Sequence, residues 1–397
     1  MDGEDLNHRI EALAEQATAL ARAGRTMQAI DLLRRALELV GTVPSRSARQ
    51  QAEGALRWRL ASALQALGRD DEAESELHRG LAALSHVSHM RDAEHDRIRT
   101  LIVLVELLTQ QTRLDEAEDV LRECRETIPV PEDHILHLAY LDAFAQWLNA
   151  SGRHAEAVAC LRRTTAHYRR ISGADANLSS SLEQLALAES AIGDIDDAVS
   201  HAREVVEIRE KTGFPAVYVG SARTTLANVL MAAGRMREFS EEVKKAGEFL
   251  AGDPEQGIQA KFLLVRSYSE AMAGRFAQAL RFSEKALEAA RGAIRRKPML
   301  EAECLIDIGG GRSVQGDLGG AIAAFTQAKT ILMDSGAPPM SVVVCLVGAA
   351  RAYSRAGLFP LAMATLDEAR GFLGPDVRRR ERVHFDSAQA QTFLRWA

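Results

Sequence analysis

The sequence is poor in several things at once. Of 397 residues only 5% are aromatic, proline occurs 10 times and cysteine 4 times, and neither sign of charge dominates, with 49 Lys+Arg against 55 Asp+Glu for a net charge of −6. The balance lacks the basic footprint of a dedicated nucleic-acid binder. Nothing approaches the roughly 18 apolar residues of a membrane-spanning helix; the most apolar stretch, Ser341 to Ala350 (SVVVCLVGAA), is too short. Cys124, Cys160, Cys304 and Cys345 lie far apart and form no CxxC pair, which excludes zinc-ribbon and thioredoxin-like motifs. They fit small core residues in a reducing compartment. The N-terminal MDGEDLNHRIEALAEQ is charged throughout, unlike a secretory signal, so a cytoplasmic location is expected. No HExxH, GxSxG or GxxxxGK[ST] occurs, so neither an enzyme nor a bound cofactor or metal is expected. With 47% apolar residues the chain is not compositionally disordered, and its length alone would suggest two or three compact domains.

What is present is a repeat. A phrase of Gly, a polar residue, two or three variable residues and Ala reads GRTMQA from Gly24, GRDDEA from Gly68, GRHAEA from Gly152 and GDIDDA from Gly193. It continues as GRFAQA from Gly274, GDLGGA from Gly316 and GLFPLA from Gly357, with weaker copies TRLDEA from Thr112 and GRMREF from Gly234. The steps are 44, 44, 40, 41, 41, 40, 42 and 41 residues, so nine copies span about Leu6 to Leu373.

Flanking positions repeat in the same register. Seven residues before each turn stand Ala17, Ala61, Val105, Ala145, Ala186, Ala227, Ser267, Gly309 and Ala350. Five residues after it stand Ala29, Ala73, Ala117, Ala157, Ala198, Phe239, Ala279, Ala321 and Ala362. Nine residues after it the position is mostly apolar, as at Leu33, Leu77, Leu121, Leu161, Val243, Phe325 and Leu366. This is the pattern of an antiparallel helix pair. The turn glycine takes the left-handed conformation that ends a helix, and small residues on both sides let the backbones approach. In the second repeat Leu60, Leu64 and Leu67 form one apolar stripe, and Ala73, Leu77 and Leu81 form its partner. No segment sustains period-2 alternation, so no sheet is expected.

Proline placement agrees. Pro44, Pro129, Pro131, Pro215, Pro254, Pro298, Pro338, Pro339 and Pro375 fall in the predicted inter-repeat loops, and Pro360 at the start of a second helix. The tail from Asp376 to Ala397 reads as one further helix, whose Phe385, Phe393, Leu394 and Trp396 would cover the last repeat as a solenoid cap.

The small–Gly–Ala constellation resembles the tetratricopeptide repeat. Its step exceeds that repeat's usual 34 residues and is similar to the longer variety in kinesin light chains, MalT-type regulators and Rap-type peptide receptors. The resemblance implies an all-α, right-handed superhelical solenoid of about nine helix-turn-helix repeats over residues 1–375, with a C-terminal capping helix over 376–397. No helix-turn-helix DNA reader or P-loop is read among the repeats, so a whole MalT-type regulator is not expected.

By similarity to that family's geometry, residues ten and six before each turn point into the concave groove. They are Trp58 and Ser62, Ile102 and Glu106, Asp142 and Gln146, Glu183 and Leu187, Thr224 and Asn228, Leu264 and Tyr268, and Val347 and Arg351. Only Asn228 matches the family's carboxylate clamp, so no clamp is expected. Trp58, Ile102, Leu264 and Tyr268 are the expected apolar anchors. The acids Glu106, Asp142 and Glu183 either make the groove a receptor for a basic or amphipathic partner segment, or are solvated helix faces.

Other features carry bland readings. His86, His89, His95, His134 and His137 fall in or beside predicted loops without a ligand framework, and read as surface histidines. Gly309, Gly310 and Gly311 lie inside a predicted helix, not after a strand, and read as a weak point or hinge. Cys304 and Cys345, one repeat apart, read as two buried thiols. The basic runs Arg295–Lys297 and Arg378–Arg380 read as solvated helix ends.

The expected function is a non-enzymatic protein-protein interaction scaffold or adaptor. It would bind a peptide or helical segment of a partner in its groove, with no nucleic acid and no membrane. The alternative is a regulatory receptor whose solenoid senses a peptide or small ligand and changes conformation.

Overall fold

The computed structural model describes residues 3–22, 25–87, 90–128, 134–252, 256–293, 297–373, 386–389 and 392. These are helical throughout apart from turns and connections, with no strand among them. The chain is an all-α solenoid of helical repeats, and it divides into two compact units, Met1–Ala174 and Asp175–Ala397.

The first unit holds four helix pairs: α1 (Gly3–Arg22) with α2 (Thr26–Val40), α3 (Arg46–Ala66) with α4 (Asp70–Ser85), α5 (Arg91–Gln110) with α6 (Leu114–Thr127), and α7 (Ile135–Ala150) with α8 (His154–Tyr168). The second holds five: α9 (Asp175–Ile192) with α10 (Ile195–Lys211), α11 (Ala216–Ala232) with α12 (Met236–Phe249), α13 (Gln256–Met272) with α14 (Phe276–Gly292), α15 (Pro298–Gln315) with α16 (Leu318–Asp334), and α17 (Pro339–Arg355) with α18 (Phe359–Gly371).

Each pair is joined by the same backbone device. At the second turn the Gly68 N–H donates to Gln65 O at 2.9 Å and the Arg69 N–H donates to Leu64 O at 3.0 Å. This double bond pattern satisfies the orphan carbonyls of a helix end and requires the residue between to be left-handed. The outer bond recurs at every turn, from Arg25→Leu20 to Leu358→Tyr353. Gly68, Gly152, Gly193, Gly234, Gly274, Gly316 and Gly357 all have φ between 68° and 92°; Gly24 lies outside the described residues. At Gly152 and Gly193 a Cβ would meet nothing within 4 Å, so glycine is there for its backbone conformation, not for room. Thr112 holds the third turn at φ 62°, the one non-glycine among the described residues with positive φ.

The small positions do what their spacing implies. Ala17, Ala61, Val105, Ala145, Ala186, Ala227, Ser267 and Ala350 before the turns are at most 4% exposed, and Gly309 is buried. Every residue five after a turn, Phe239 included, is at most 6% exposed. A second recurrent device is electrostatic. The residue after the turn is often Arg, and it clasps the Glu three positions on through paired contacts: Arg69–Glu72 at 2.6 Å, Arg113–Glu116 at 2.7 Å and Arg153–Glu156 at 2.6 Å. These pairs are solvent-exposed, so screening leaves each a small contribution to stability.

Proline differs in detail from expectation. Pro298 and Pro339 do not sit in loops but open α15 and α17, and Pro360 lies in the first turn of α18, where a preset φ helps and the missing N–H is harmless. Pro129, Pro131, Pro254 and Pro375 lie outside the described residues. The glycine run makes no break: α15 continues through Gly309–Gly311 to Gln315. Of the expected cap, residues 386–389 and 392 are helical, and Ala388 joins the core formed with Leu346 and Leu366; Phe385, Phe393, Leu394, Trp396 and Arg378–Arg380 lie outside the described residues.

Candidate functional site

In the first unit the groove positions are largely used by the fold itself. Trp58 is half-buried: its indole N–H donates to Asp96 Oδ1 at 3.2 Å, and the Arg59 guanidinium lies 4.5 Å from its ring centre. Arg99 pairs with the same Asp96 oxygen at 3.1 Å. Burial lowers the Arg59 guanidinium from its ordinary value. Arg59, Arg99, Asp92, Asp96, Glu11 and Glu15 line a polar cavity of about 830 Å³ between α1, α3 and α5. Ile102 is 6% exposed and belongs to the core, which corrects its expected role as a groove anchor. The reason is that α5 is apolar on all sides from Leu101 to Val105, so its outward face is covered as well.

Glu106 and Asp142 face one another across α5 and α7 closely enough to interact. Burial first, and then the Asp142 charge, push the Glu106 carboxyl up to about 7. Asp142 also accepts a hydrogen bond from the Tyr168 hydroxyl at 2.9 Å. Gln146, one turn further along α7, is half-buried. Of the histidines, His86 is exposed at a helix end, whereas His95 and His134 are half-buried with ring centres 5.6 Å apart and His137 sits on α7. His95 and His137 are helix-borne, whereas His134 caps the N-terminus of α7, its Nδ1 accepting from the Leu136 N–H at 3.2 Å; His89 lies outside the described residues. Among the described residues no group of three or more His, Cys, Asp or Glu is placed to hold a metal ion.

In the second unit Glu183 is already partnered. It accepts from Arg209 Nη2 at 2.6 Å and from Thr225 Oγ1 at 2.8 Å, which neutralises one of the three expected groove acids. Leu187 is 46% exposed, Asn228 is half-buried, and Thr224 is buried with its hydroxyl bonded back to Gly220 O.

The most developed concavity lies toward the end of this unit. It is a cleft of about 550 Å³ between α13, α15 and α17. The repeat register builds it: Tyr268 from the seventh repeat, Ile306 and Gly310 from the eighth, and Val347 and Arg351 from the ninth all stand six or ten residues before their turns and all line the cleft. Leu264 is half-buried beside the Ala260–Phe282 cluster and lies outside the lining. The glycine run makes room here. A Cβ on Gly309 would come 2.8 Å from the Phe325 ring and one on Gly348 would come 2.5 Å from it, so the two backbones clasp that ring, while a Cβ on Gly310 would meet nothing.

Sequence reasoning missed several of the lining residues: Phe276, Val314 and Val344 are 45%, 48% and 54% exposed at the cleft. One signal was present. In a helix a run such as SVVVCLVGAA cannot place every residue in one core, and Val344 is the residue left outward. The lining carries two charged residues, Asp307 and Arg351. Asp307 is open to solvent yet surrounded by the walls of the hollow. That surrounding, and then Glu303 one turn away, push its carboxyl up to about 6.

All four cysteines are free, and burial raises their thiols to about 12, which leaves them unreactive. No helix among the described residues is long and apolar enough to cross a membrane.

Comparison with known proteins agrees with the architecture. Residues 135–211 match the family model described as tetratricopeptide repeat. Among solved structures, a Rap protein complexed with Competence and Sporulation Factor is 13% identical with a TM-score of 0.53, over 75% of this chain and 80% of that one. BtubC (BKLC) from P. vanneervenii is 18% identical with a TM-score of 0.43, over 58% of this chain and 94% of that one. Cut9 in the APC/C Cut9–Hcn1 hetero-tetramer is 12% identical with a TM-score of 0.48, over 97% and 92%. At 13% identity the likeness to the Rap protein is one of fold. No curated protein matches the sequence. Residues 135–211 thus match tetratricopeptide repeats, and the other described helix pairs share the same helix-turn-helix architecture.

Proposed function

We propose that the chain is a non-enzymatic, cytoplasmic interaction scaffold that seats an amphipathic segment of a partner protein against the concave face of its second unit. One observation supports this most: the groove positions Tyr268, Ile306, Gly310 and Arg351 from three successive repeats converge on a single apolar cleft, with the buried Val347 in its wall. Tyr268, Phe276 and Val344 leave apolar surface unpartnered there, and such surface marks recognition sites. The groove positions of the first unit do not offer this, because Trp58 and Ile102 are engaged internally. With Glu183 neutralised by Arg209, an amphipathic partner suits the face better than a purely basic one.

The test is affinity capture with quantitative mass spectrometry, comparing the natural chain with the Tyr268→Ala, Val344→Ala double variant. Partners that bind the cleft should be lost from the variant while circular dichroism stays helical. An unchanged partner set would remove the cleft from the reading.

The bounded volume of the cleft favours a second reading, a receptor whose repeats adjust to a ligand. Small-angle scattering with and without a bound ligand tests it: an unchanged radius of gyration leaves the passive scaffold.

A further inference from the structure

We infer that the cleft between α13, α15 and α17 is a binding site for a small apolar carboxylate, a molecule with a hydrocarbon or aromatic body and one anionic end held by Arg351. The inference goes beyond the scaffold reading: it names a small-molecule occupant for the same cleft and does not depend on a partner protein docking there.

Size and lining come first. A cavity of about 550 Å³ lies within the roughly 300–1,000 Å³ of small-molecule sites, which are mostly apolar with a few placed polar groups. The walls here come from Tyr268, Ile306, Val343, Val344 and Phe325. The two lining serine hydroxyls, of Ser267 and Ser283, are already spent on each other at 2.7 Å and on Ala279 O.

Arg351 supplies the polar end. Its Nε is buried without a hydrogen-bond partner, and no carboxylate among the described residues lies within ion-pair distance. The Nε atoms of Arg209 and Arg223 in this unit are also unpartnered, but those two guanidinium groups are held through their Nη atoms, Arg209 by Glu183 and Arg223 by Glu210 and Glu242, and Arg351 has no such ion pair among the described residues. A guanidinium presents a planar fork of donors that matches a carboxylate, and such a bond is stronger where water is thinned out. Asp307, the other charge in the lining, does not reach Arg351 and so leaves the fork open. A ligand with an anionic end and an apolar body satisfies both the fork and the walls. An ammonium in place of the carboxylate would leave Arg351 unpaired and set like charges together.

The floor is permissive in the same place. A Cβ at Gly310 meets nothing within 4 Å, so a larger side chain there would project into the cleft without displacing protein.

The experiment is calorimetric titration of the full chain with decanoate, decanol and decylammonium as matched probes. Decanoate should bind at least about tenfold tighter than either of the others, the range expected for a charge-assisted bond. Arg351→Gln should abolish that preference while leaving decanol affinity unchanged. Gly310→Leu should weaken all three, with an unchanged or higher melting temperature. If Arg351→Gln does not fold, the comparison of the three probes on the natural chain decides by itself. Tighter binding of decylammonium, undiminished decanoate binding in folded Arg351→Gln, or no binding of decanoate at all would each overturn the inference. Decanoate binding with an unchanged radius of gyration leaves the inference standing and removes the receptor reading.

Discussion

Gly348 on α17 lies against the ring of Phe325 on α16, so closely that a Cβ would stand 2.5 Å from Cε1. Gly309 on α15 approaches the same ring from its own side, at 2.8 Å for the equivalent Cβ. Phe325 occupies the apolar position nine residues after its turn and is 3% exposed, so it cannot swing away without opening the core. Gly348→Ala should therefore destabilise the chain by about 1–3 kcal/mol, the range for overpacking a filled site. Thermal or urea unfolding measures it. Combining Gly348→Ala with Phe325→Leu should recover part of the loss, and strictly additive losses would mean the two residues do not share the space.

The third turn is the exception among its siblings. Thr112 holds φ 62°, a region costly for a β-branched residue, in a turn whose hydrogen bonds otherwise match those of the glycine turns. Thr112→Gly should stabilise by about 0.5–1 kcal/mol, the relief of left-handed strain less the added freedom of glycine in the unfolded chain. The reciprocal change Gly152→Thr should lower stability by a similar amount. A lower melting temperature for Thr112→Gly would show that the threonine contributes something the backbone does not reveal.

Glu106 gives the first unit a pH dependence of predictable sign. Its carboxyl is raised from 4.5 to about 7 by burial and by Asp142, so folding favours the protonated form. The folded chain then binds more protons than the unfolded one between those values. Stability from this group is full below about 4.5, falls as pH rises through 7, and stays lost above. The loss is on the order of 1–3 kcal/mol. Glu106→Gln should remove that slope and raise stability at pH 8, measured by urea unfolding across pH 5–8. An identical slope in the variant would place its origin elsewhere.

Much of the fold was legible because a repeat averages out local ambiguity. Ala73, Ala117, Ala157 and Ala198 are each an unremarkable helix residue, but at a constant offset from a turn they mark one packing site, and each is fully buried. The groove was less legible, because exposure depends on what the neighbouring helices bring. Ile102 and Val347 hold equivalent register positions. Both are buried, but the first is enclosed by an all-apolar α5, while the second also forms part of the wall of a cleft lined by glycines of α15 and α17. The Arg–Glu clasps were visible as GR-x-x-E phrases, and the glycine run, read as a weak point, is a packing device.

Arg209 and Glu183 test whether buried charge holds successive repeats of the second unit together. Arg209 is 7% exposed, donates to Glu183 at 2.6 Å and reaches Tyr218 O at 3.1 Å, and so ties α10 to α9 and α11. Thr225 on α11 donates to the same carboxylate. Removing one member strands the other in a site that water does not fill, and breaking such a pair costs about 3–5 kcal/mol where burial is complete. Glu183 keeps about a fifth of its side chain exposed, so about 2–3 kcal/mol is expected for Arg209→Met. The Arg209→Met, Glu183→Leu double variant should lose less than Arg209→Met alone, because no uncompensated charge remains. Unfolding of the full chain, followed by circular dichroism in urea, reads both values. A double variant weaker than either single one would mean that the hydrogen bonds to Tyr218 and Thr225, and not the ion pair, hold α11 in register.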